Sequence, residues 1–275
     1  MKYPDDFINK IICGDCAKVM KYIPDNVIDL TVTSPPYNGL RYYEGYHFDF
    51  YAIANELYRI TKEGGVVVWV VGDATVNGSE TGTSFKQALY FKDIGFNLHD
   101  TMIYEKAGFS TPSSNRYHQV FEYMFIFVKG KIKTFNPIKD RKNRWDGSWG
   151  NCSIRQKDGV LQKKDRIVLD EYGMRFNIWR YVSGSGFGQK DEIAYKHPAT
   201  FPEQLAFDHI RSWSNEGDIV LDPMCGSGTT CKMAKKLRRK YIGIDISEKY
   251  CEIARLRVQG QKKTGFENAK RLDNF

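Results

Sequence analysis

Long hydrophobic runs are missing from this chain of 275 residues. No window approaches the roughly 18 uncharged apolar residues that a membrane-spanning helix needs. The first residues, Met1–Asp6, do not contain the hydrophobic region of a secretory signal. We therefore expect a cytoplasmic protein that has no membrane partner.

Cysteine is also sparse, with six residues in the whole chain. Cys13 and Cys16 have the C-x-x-C spacing of a redox or zinc half-site. The sequence has no second pair that would complete four zinc ligands. We therefore predict that there is no metal site and that the thiols are reduced, as is usual in the cytoplasm.

Two glycine motifs that bind phosphates are absent as well. The sequence contains neither the Gly-Lys-[Ser/Thr] of a P-loop nor a complete G-x-G-x-x-G. A shorter motif is present, in which a predicted strand ends at Asp222-Pro223 and Gly226–Gly228 precedes a predicted helix. Gly226 and Gly228 let the backbone approach a ligand closely, and Thr229 stands near the helix N-terminus.

An acidic residue completes this motif. Asp245 ends the next predicted strand, 23 residues after Asp222. A βαβ nucleotide site places at about this distance the acid that binds ribose hydroxyls. Without a phosphate-binding motif, the two acids suit an adenosine ligand whose other end is cationic. S-adenosylmethionine has that shape, so the motif predicts it as the cofactor.

Acidic residues are rare between Lys129 and Lys190, where 15 Lys and Arg stand against 6 Asp and Glu. This segment has a local charge of +9, so the rest of a chain with net charge +8 is about neutral. A basic segment on a neutral body is typical of a protein that binds a polyanion such as a nucleic acid.

The rest of the sequence alternates short apolar runs with amphipathic segments, which predicts an α/β fold with a doubly wound, mostly parallel sheet. We expect strands at 10–13, 27–32, 66–71, 218–221 and 241–244, and helices at 16–23, 49–62, 84–94, 203–213, 229–240 and 247–259. Strands at 98–104 and 120–128 have no helix between them, so they should form an antiparallel hairpin at one edge. We divide the chain into residues 1–129, an inserted segment 130–195 and residues 196–275.

The strand at 27–32 leads into Thr33-Ser34-Pro35-Pro36-Tyr37. Consecutive prolines cannot continue a ladder or a helix, so the chain must leave the sheet there in a rigid extended loop. Ligands bind at such carboxyl ends in open α/β sheets. The Ser34 hydroxyl, the proline carbonyls and the Tyr37 ring could hold a planar group that carries an exocyclic amine. A proline-rich turn with a packed tyrosine is the structural alternative.

The stretch 33–37, together with Asp222–Thr230, closely resembles the amino-methyltransferases that modify DNA bases. The motif order, with the catalytic motif first and the cofactor motif last, is similar to the permuted β group of bacterial restriction-modification methyltransferases. Residues 12–16 and 197–202 match two further motifs of that family, and the resemblance covers residues 11–258 apart from the basic insertion. The family often has Lys where this chain has Phe201, and an aromatic residue where it has Met224.

The resemblance implies that a methyl group passes from S-adenosylmethionine to the exocyclic amine of a base flipped out of double-stranded DNA. Ser34 and the Pro35 carbonyl would accept hydrogen bonds from that amine, and Tyr37 would stack on the base, within a catalytic motif of Ser34, Pro35, Pro36 and Tyr37. Ten residues would form the cofactor pocket: Asp15, Cys16, His197, Thr200, Asp222, Pro223, Gly226, Gly228, Thr229 and Asp245.

Within that pocket the resemblance assigns Asp15 to the adenine, Asp222 to the methionine ammonium and Asp245 to the ribose. A helix cap at a strand end is the structural alternative for each. The basic insertion stands where the β group has its target-recognition region. The resemblance is compatible with a cognate restriction endonuclease and with a homodimer as further partners.

Several functions remain open at this stage. Ser34 at the first position of the catalytic motif favours cytosine N4 over adenine N6. A methyltransferase of protein glutamine or of RNA usually has Asn at that position and the opposite motif order, which argues against both. A nucleic-acid-binding module without activity would keep the basic insertion but would not need intact acceptor and cofactor motifs.

Overall fold

A computed structural model of the protein describes residues 1–36, 48–108, 114–143, 148–149, 153–163, 167–168, 170–182, 188, 191–197 and 200–260. The chain forms two compact units, one made of Met1–Asn136 and Ile178–Phe275 and the other of Pro137–Asn177. The second unit contains fewer residues than the predicted insertion at 130–195. The boundaries of that insertion as a functional segment stay a prediction. None of the helices in the described residues is long and apolar enough to cross a membrane.

Eight strands of the first unit form one sheet among the described residues. They are β1 (Lys10–Cys13), β2 (Ile28–Thr33), β3 (Thr61–Val71), β4 (Phe96–Lys106), β5 (Phe121–Lys129), β6 (Ile178–Tyr181), β7 (Ile219–Asp222) and β8 (Lys240–Asp245). Their spatial order is β1-β8-β7-β2-β3-β5-β4-β6. All neighbours are parallel except β5, which is antiparallel to both β3 and β4. The predicted mostly parallel α/β sheet is confirmed.

The hairpin of β4 and β5 is antiparallel as predicted, but it does not lie at the edge. Strand β6 adds to β4 in parallel, with Ile178 opposite Ile103 and Tyr181 opposite Lys106. In β6, Trp179 and Tyr181 are buried and the two residues that alternate with them are exposed. Four residues inside a segment of weak periodicity give too short a pattern for the sequence to indicate this strand.

The helices are α1 (Cys16–Val19), α2 (Phe50–Ile60), α3 (Thr83–Asp93), α4 (Glu203–Trp213), α5 (Thr229–Lys236) and α6 (Glu248–Val258), and single 3₁₀ turns occupy Met20–Tyr22 and Glu192–Lys196. Helix α5 is shorter than predicted, because Arg238 has a positive φ of 61° and the chain then enters β8. The crossovers through α2 and α5 run in opposite directions along the sheet, so the right-handed rule places these helices on opposite faces.

The core follows from the apolar runs. All residues from Gly64 to Val71 in β3 are buried between β2 and β5. Trp69 packs edge-on against Phe50 of α2 and Phe91 of α3, with ring centroids 5.9 and 5.1 Å apart. Helix α2 buries its apolar stripe and begins where the Asp49 carboxylate accepts the Ala52 N–H at 3.1 Å. After β3, the short strands Thr75–Val76 and Ser79–Glu80 form a small hairpin.

The second unit contains three antiparallel strand pairs. Ser153–Arg155 pairs with Leu161–Lys163, Ser148–Trp149 with Ile167–Val168, and Lys139–Lys142 with Tyr172–Met174. Each pair encloses the previous one along the chain, as in a β-hairpin, and the described residues within 139–174 are here called the β-arm. The arm turns at 156–160, where the Gln156 N–H donates to the Val160 carbonyl at 2.8 Å.

Candidate active site

Four parallel strands bring predicted site residues to one edge of the sheet. Strands β1, β8, β7 and β2 are consecutive neighbours and all parallel, so their carboxyl ends lie side by side. Asp15 follows β1, Asp245 ends β8, Asp222 ends β7 and Ser34 follows β2. The fold therefore collects acidic and hydroxyl groups from distant parts of the chain where open α/β sheets bind ligands.

Asp222 connects the serine loop with the glycine motif. It is 2% exposed, and its Oδ1 accepts the Thr33 hydroxyl at 2.8 Å and the Met224 N–H at 3.2 Å. The Thr230 hydroxyl adds a second connection by donating to the Val32 carbonyl at 3.1 Å. Sequence reasoning gave no role to Thr33 or Thr230, although each stands inside one of the two motifs.

The charge of Asp222 has no protein counterpart among the ion pairs of the described residues. Burial raises the pKa of Asp222 to about 6, although hydrogen bonds from Thr33 and Met224 lower it, and the nearby Asp245 carboxylate raises it further. The carboxylate is therefore mostly ionised near neutral pH while it remains deeply buried. Such a charge fits a ligand that brings a positive group.

Asp245 shapes the glycine loop. Its Oδ2 accepts the Gly226 N–H at 2.8 Å, and its Oδ1 accepts the Ser247 N–H at 2.9 Å. Burial raises the pKa of Asp245, and these two hydrogen bonds act in the opposite direction. A carboxylate has about four acceptor positions, so the two contacts leave capacity for ligand hydroxyls.

Both glycines of the loop are required by their surroundings. Gly226 and Gly228 have positive φ angles of 49° and 77°. A Cβ on Gly226 would lie 2.8 Å from His197 Nε2, and one on Gly228 would lie 2.7 Å from the Ala254 Cβ. The structure thus places His197, predicted from the sequence as a pocket residue, directly against the glycine loop.

Asp15 follows β1 and acts as a helix cap. Its carboxylate accepts the Ala17 N–H at 3.0 Å and is 3.7 Å from Lys18 Nζ. The preceding Gly14 N–H donates to the Asp245 carbonyl at 2.8 Å, which joins the ends of β1 and β8. The cap foreseen as the structural alternative is therefore present, and a cofactor role for Asp15 stays a prediction.

The other predicted site residues differ in exposure. Cys16, Pro35, Pro223 and Thr229 are buried, whereas Ser34, Pro36, His197 and Thr200 are half-buried. Tyr37 lies outside the described residues. The buried residues of this set can pack beneath the surface of a pocket, and the half-buried ones can contact a ligand.

A cluster of two cysteines and a glutamate lies near the end of β1. Cys13, Glu248 and Cys251 place potential metal-ligand atoms within 4.8 Å of one another. Both thiols donate to carbonyls, however, Cys13 to Ile246 at 3.5 Å and Cys251 to Ile12 at 3.7 Å. Burial raises the pKa of both thiols, which disfavours the thiolates that a metal requires. We assign no metal to this cluster.

Solved methyltransferases share this fold. PvuII DNA methyltransferase, described as cytosine-N4-specific, matches with a TM-score of 0.66 and 20% identity over 90% of this chain and 85% of its own. M1.HpyAVI, solved as a complex with SAM, matches with a TM-score of 0.60 and 20% identity over 90% of this chain and 97% of its own. The fold class is that of the Rossmann-like methyltransferases.

Sequence comparison gives the family. The family described as DNA methylase (N6_N4_Mtase) matches residues 28–256. The orphan methyltransferase M.BamHII of Bacillus amyloliquefaciens is 60% identical over 240 residues, which are 86% of this chain and 91% of that relative. The chain belongs to the N6/N4 DNA methylase family, so the predicted DNA methyltransferase activity is confirmed.

Proposed function

We propose that this S-adenosylmethionine-dependent DNA methyltransferase belongs to the permuted β group and methylates cytosine N4 in double-stranded DNA. The Thr33–Asp222 hydrogen bond carries the proposal, because it joins the end of the serine loop to the glycine motif at 2.8 Å. A methyl donor held by one motif and a base held by the other would then meet at one fixed place.

The residues of the pocket fit the cofactor. Its sulfonium would supply the methyl group, and Asp222 supplies a buried negative charge for its cationic methionine end. Asp245 has acceptor capacity for the ribose hydroxyls, and the glycine loop lets the backbone come close. His197, Thr200 and Asp15 complete the proposed pocket together with the buried Cys16, Pro223 and Thr229.

Catalysis in this proposal depends on orientation and electrostatics. An exocyclic amine is a poor nucleophile because its lone pair is delocalised into the ring of the base. Ser34 Oγ and the Pro35 carbonyl accept hydrogen bonds from the amine and favour a pyramidal nitrogen, while Tyr37 stacks on the ring. No covalent intermediate with the protein is required, so the cysteines have no catalytic role.

Ser34 favours cytosine as the target base. The N4 amine of cytosine stands beside N3, which is a hydrogen-bond acceptor. A hydroxyl can donate to N3 or accept from the amine, whereas a carboxylate can only accept and would be repelled by the N3 lone pair. Adenine has the same arrangement at N6 and N1, so the argument favours cytosine without excluding adenine.

Nucleoside mass spectrometry of methylated DNA tests the target atom. DNA from a host that expresses the protein should contain N4-methylcytosine, which has a different mass from N6-methyladenine. Detection of N6-methyladenine alone would contradict the proposed target and leave the family assignment intact. DNA from a host that expresses Ser34→Ala serves as the control and should contain much less of either product.

The β-arm is the proposed DNA-reading element of the basic insertion. Directly opposite residues of an antiparallel pair share a face, so Ser153, Arg155, Leu161 and Lys163 lie on one face of the arm tip. Arg155 and Lys163 are exposed, and within the described residues neither forms an ion pair. A two-stranded ribbon fits the major groove of B-DNA, where cations on one face can reach phosphates and base edges.

Base flipping, a cognate restriction endonuclease, a homodimer and a cytoplasmic location stay predictions of the sequence. Base flipping follows from the chemistry, because an amine inside a duplex cannot be placed in line with a methyl donor. A fluorescent base analogue at the target position would report flipping as an increase in emission when the protein binds.

A further inference from the structure

Arg257 stands near the end of α6 and is 1% exposed. It belongs to no motif that the sequence analysis identified. Burying a guanidinium costs free energy unless its N–H groups donate to acceptors and nearby carboxylates balance its charge. Its contacts therefore indicate what the fold gains from burying it.

Three contacts of Arg257 go to the glycine loop. Its Nη1 donates to the Ser227 carbonyl at 2.7 Å, to the Ser227 hydroxyl at 2.8 Å and to the Thr229 hydroxyl at 3.0 Å. Two further contacts go to acids, since Nε donates to Asp191 Oδ2 at 3.1 Å and Nη2 to Glu203 Oε1 at 2.9 Å. One planar group thus connects the backbone and side chains of the loop with two fixed carboxylates.

Lys232 of α5 completes a cluster of two cations and two acids. Its Nζ also contacts Asp191 Oδ2, and it contacts Glu203 Oε1 at 2.6 Å. Burial alone would raise the pKa of Asp191, but hydrogen bonds and charges from Lys232 and Arg257 outweigh it and hold the pKa below its usual value. Asp191 is therefore ionised at neutral pH, where it pairs with both Lys232 and Arg257.

The cluster joins the elements that surround the loop. Asp191 precedes the turn that leads to His197, and Glu203 is the first residue of α4. Helix α6 also meets the loop directly, because the Ala254 Cβ would be 2.7 Å from a Cβ on Gly228. The contacts at both glycines, His197 at Gly226 and Ala254 at Gly228, are thus attached to segments that Arg257 connects.

We propose that Arg257 is a positioning residue for S-adenosylmethionine: it holds the segment Gly226–Thr229 in the conformation that receives the cofactor. The inference rests on the proposed function, since it takes this loop as part of the cofactor pocket. Arg257 acts through Ser227 and Thr229, and its own side chain is enclosed by protein. A lysine keeps the charge but lacks the planar fork that meets several acceptors in fixed directions.

Arg257→Lys tests the proposal in steady-state kinetics with S-adenosylmethionine and DNA varied separately. We expect the KM for S-adenosylmethionine to rise about tenfold, because one or two hydrogen bonds that shape the loop are lost. The KM for DNA and kcat at saturating cofactor should stay within about twofold of the parent. A general loss of stability would not separate these constants.

Arg239→Lys is the matched control. Arg239 donates to the Ser214 carbonyl at 2.6 Å, the Ser214 hydroxyl at 3.1 Å and the Leu237 carbonyl at 2.7 Å, beyond the other end of α5. The same chemical change there should lower the Tm and leave the KM for S-adenosylmethionine unchanged. If both variants raise this KM in proportion to their loss of Tm, Arg257 has only a structural role and the proposal is wrong.

Ser227→Ala keeps the test decisive if Arg257→Lys does not fold. It removes one acceptor of Arg257, while the buried guanidinium keeps its ion pairs with Asp191 and Glu203. We expect the KM for S-adenosylmethionine to rise about threefold. A parental KM in a folded Arg257→Lys, or in Ser227→Ala when the lysine variant does not fold, overturns the inference. Calorimetry on Asp222→Asn separates the two levels: if this variant binds S-adenosylmethionine as the parent does, the proposed pocket is wrong, whereas weak binding by Asp222→Asn with a parental KM in Arg257→Lys refutes only the role of Arg257.

Discussion

At the scale of single residues, Asp222 is a buried carboxylate that forms no ion pair within the described residues. Its pKa of about 6 lies above the ordinary 3.8, so folding favours the protonated form. The stability that this proton contributes is full below the ordinary pKa and is lost as the pH rises through about 6. If Asp222 binds the cationic end of the cofactor as proposed, the bound cation would reverse this preference, and cofactor binding would release a proton.

The affinity for S-adenosylmethionine should therefore depend on pH. We expect the dissociation constant to fall as the pH rises from about 5 to about 7 and then to level off, because the cationic ligand prefers the ionised carboxylate. Isothermal calorimetry across this range measures the effect. Asp222→Asn should bind weakly at every pH, and any remaining pH dependence would come from Asp245, whose pKa is also raised. A flat profile for the parent would remove Asp222 from the cofactor site.

The same variant should be at least as stable as the parent at neutral pH. An amide oxygen can still accept the Thr33 hydroxyl and the Met224 N–H, while the burial of a charge is avoided. The expected gain is roughly 1–3 kcal/mol in the free energy of unfolding, as the raised pKa implies. Urea denaturation of the parent and of Asp222→Asn would measure it, and the advantage should disappear at about pH 4.

At the scale of elements, the ends of β2 and β7 are connected by the Thr33–Asp222 hydrogen bond. Thr33→Val removes the donor, so the pKa of Asp222 should rise further. The midpoint of the pH dependence of cofactor binding should then move upward, and the affinity at neutral pH should fall by about 1–2 kcal/mol. Thr33→Ser retains the hydroxyl and should behave like the parent. An unchanged midpoint in Thr33→Val would show that the bond does not tune Asp222.

The sequence was informative where the pattern is local. An apolar run followed at once by Ser34, Asp222 or Asp245 identified both the strand and its carboxyl end, and parallel pairing then placed these residues together. Arg257 could not be found in this way, because its partners lie 28 to 66 residues away in the chain. Strand β6 was missed for a related reason, since its place is set by pairing with β4 and not by its four residues.

At the scale of the whole molecule, the basic segment is concentrated in and around the β-arm. Arg155→Gln with Lys163→Gln should weaken binding to DNA of any sequence. The slope of log affinity against log salt should become shallower by about two, because each lost phosphate contact releases about one counterion fewer. Fluorescence anisotropy with DNA of unrelated sequence at several salt concentrations would measure this.

Lys10→Gln with Lys240→Gln provides the control for total charge. These exposed lysines are the first residues of β1 and β8. They therefore lie at the amino ends of the strands, whereas Ser34 and Asp222 lie at the carboxyl ends. This control pair should retain the parent's salt slope. Equal slopes for the two double variants would show that the β-arm cations do not contact DNA.

The strand order has a consequence for synthesis on the ribosome. Strands β1 and β2 are made first, yet they do not pair with each other, because β8 and β7 lie between them. Until residues 219–245 have emerged from the ribosome, both early strands lack these neighbours. The Thr33–Asp222 hydrogen bond cannot form until then either, because Asp222 is 189 residues further along the chain. A nascent chain thus exposes unpaired strand edges to chaperones for most of its translation. If Asp245 binds the cofactor as proposed, a chain that ends before β8 should be unable to bind S-adenosylmethionine or to modify DNA.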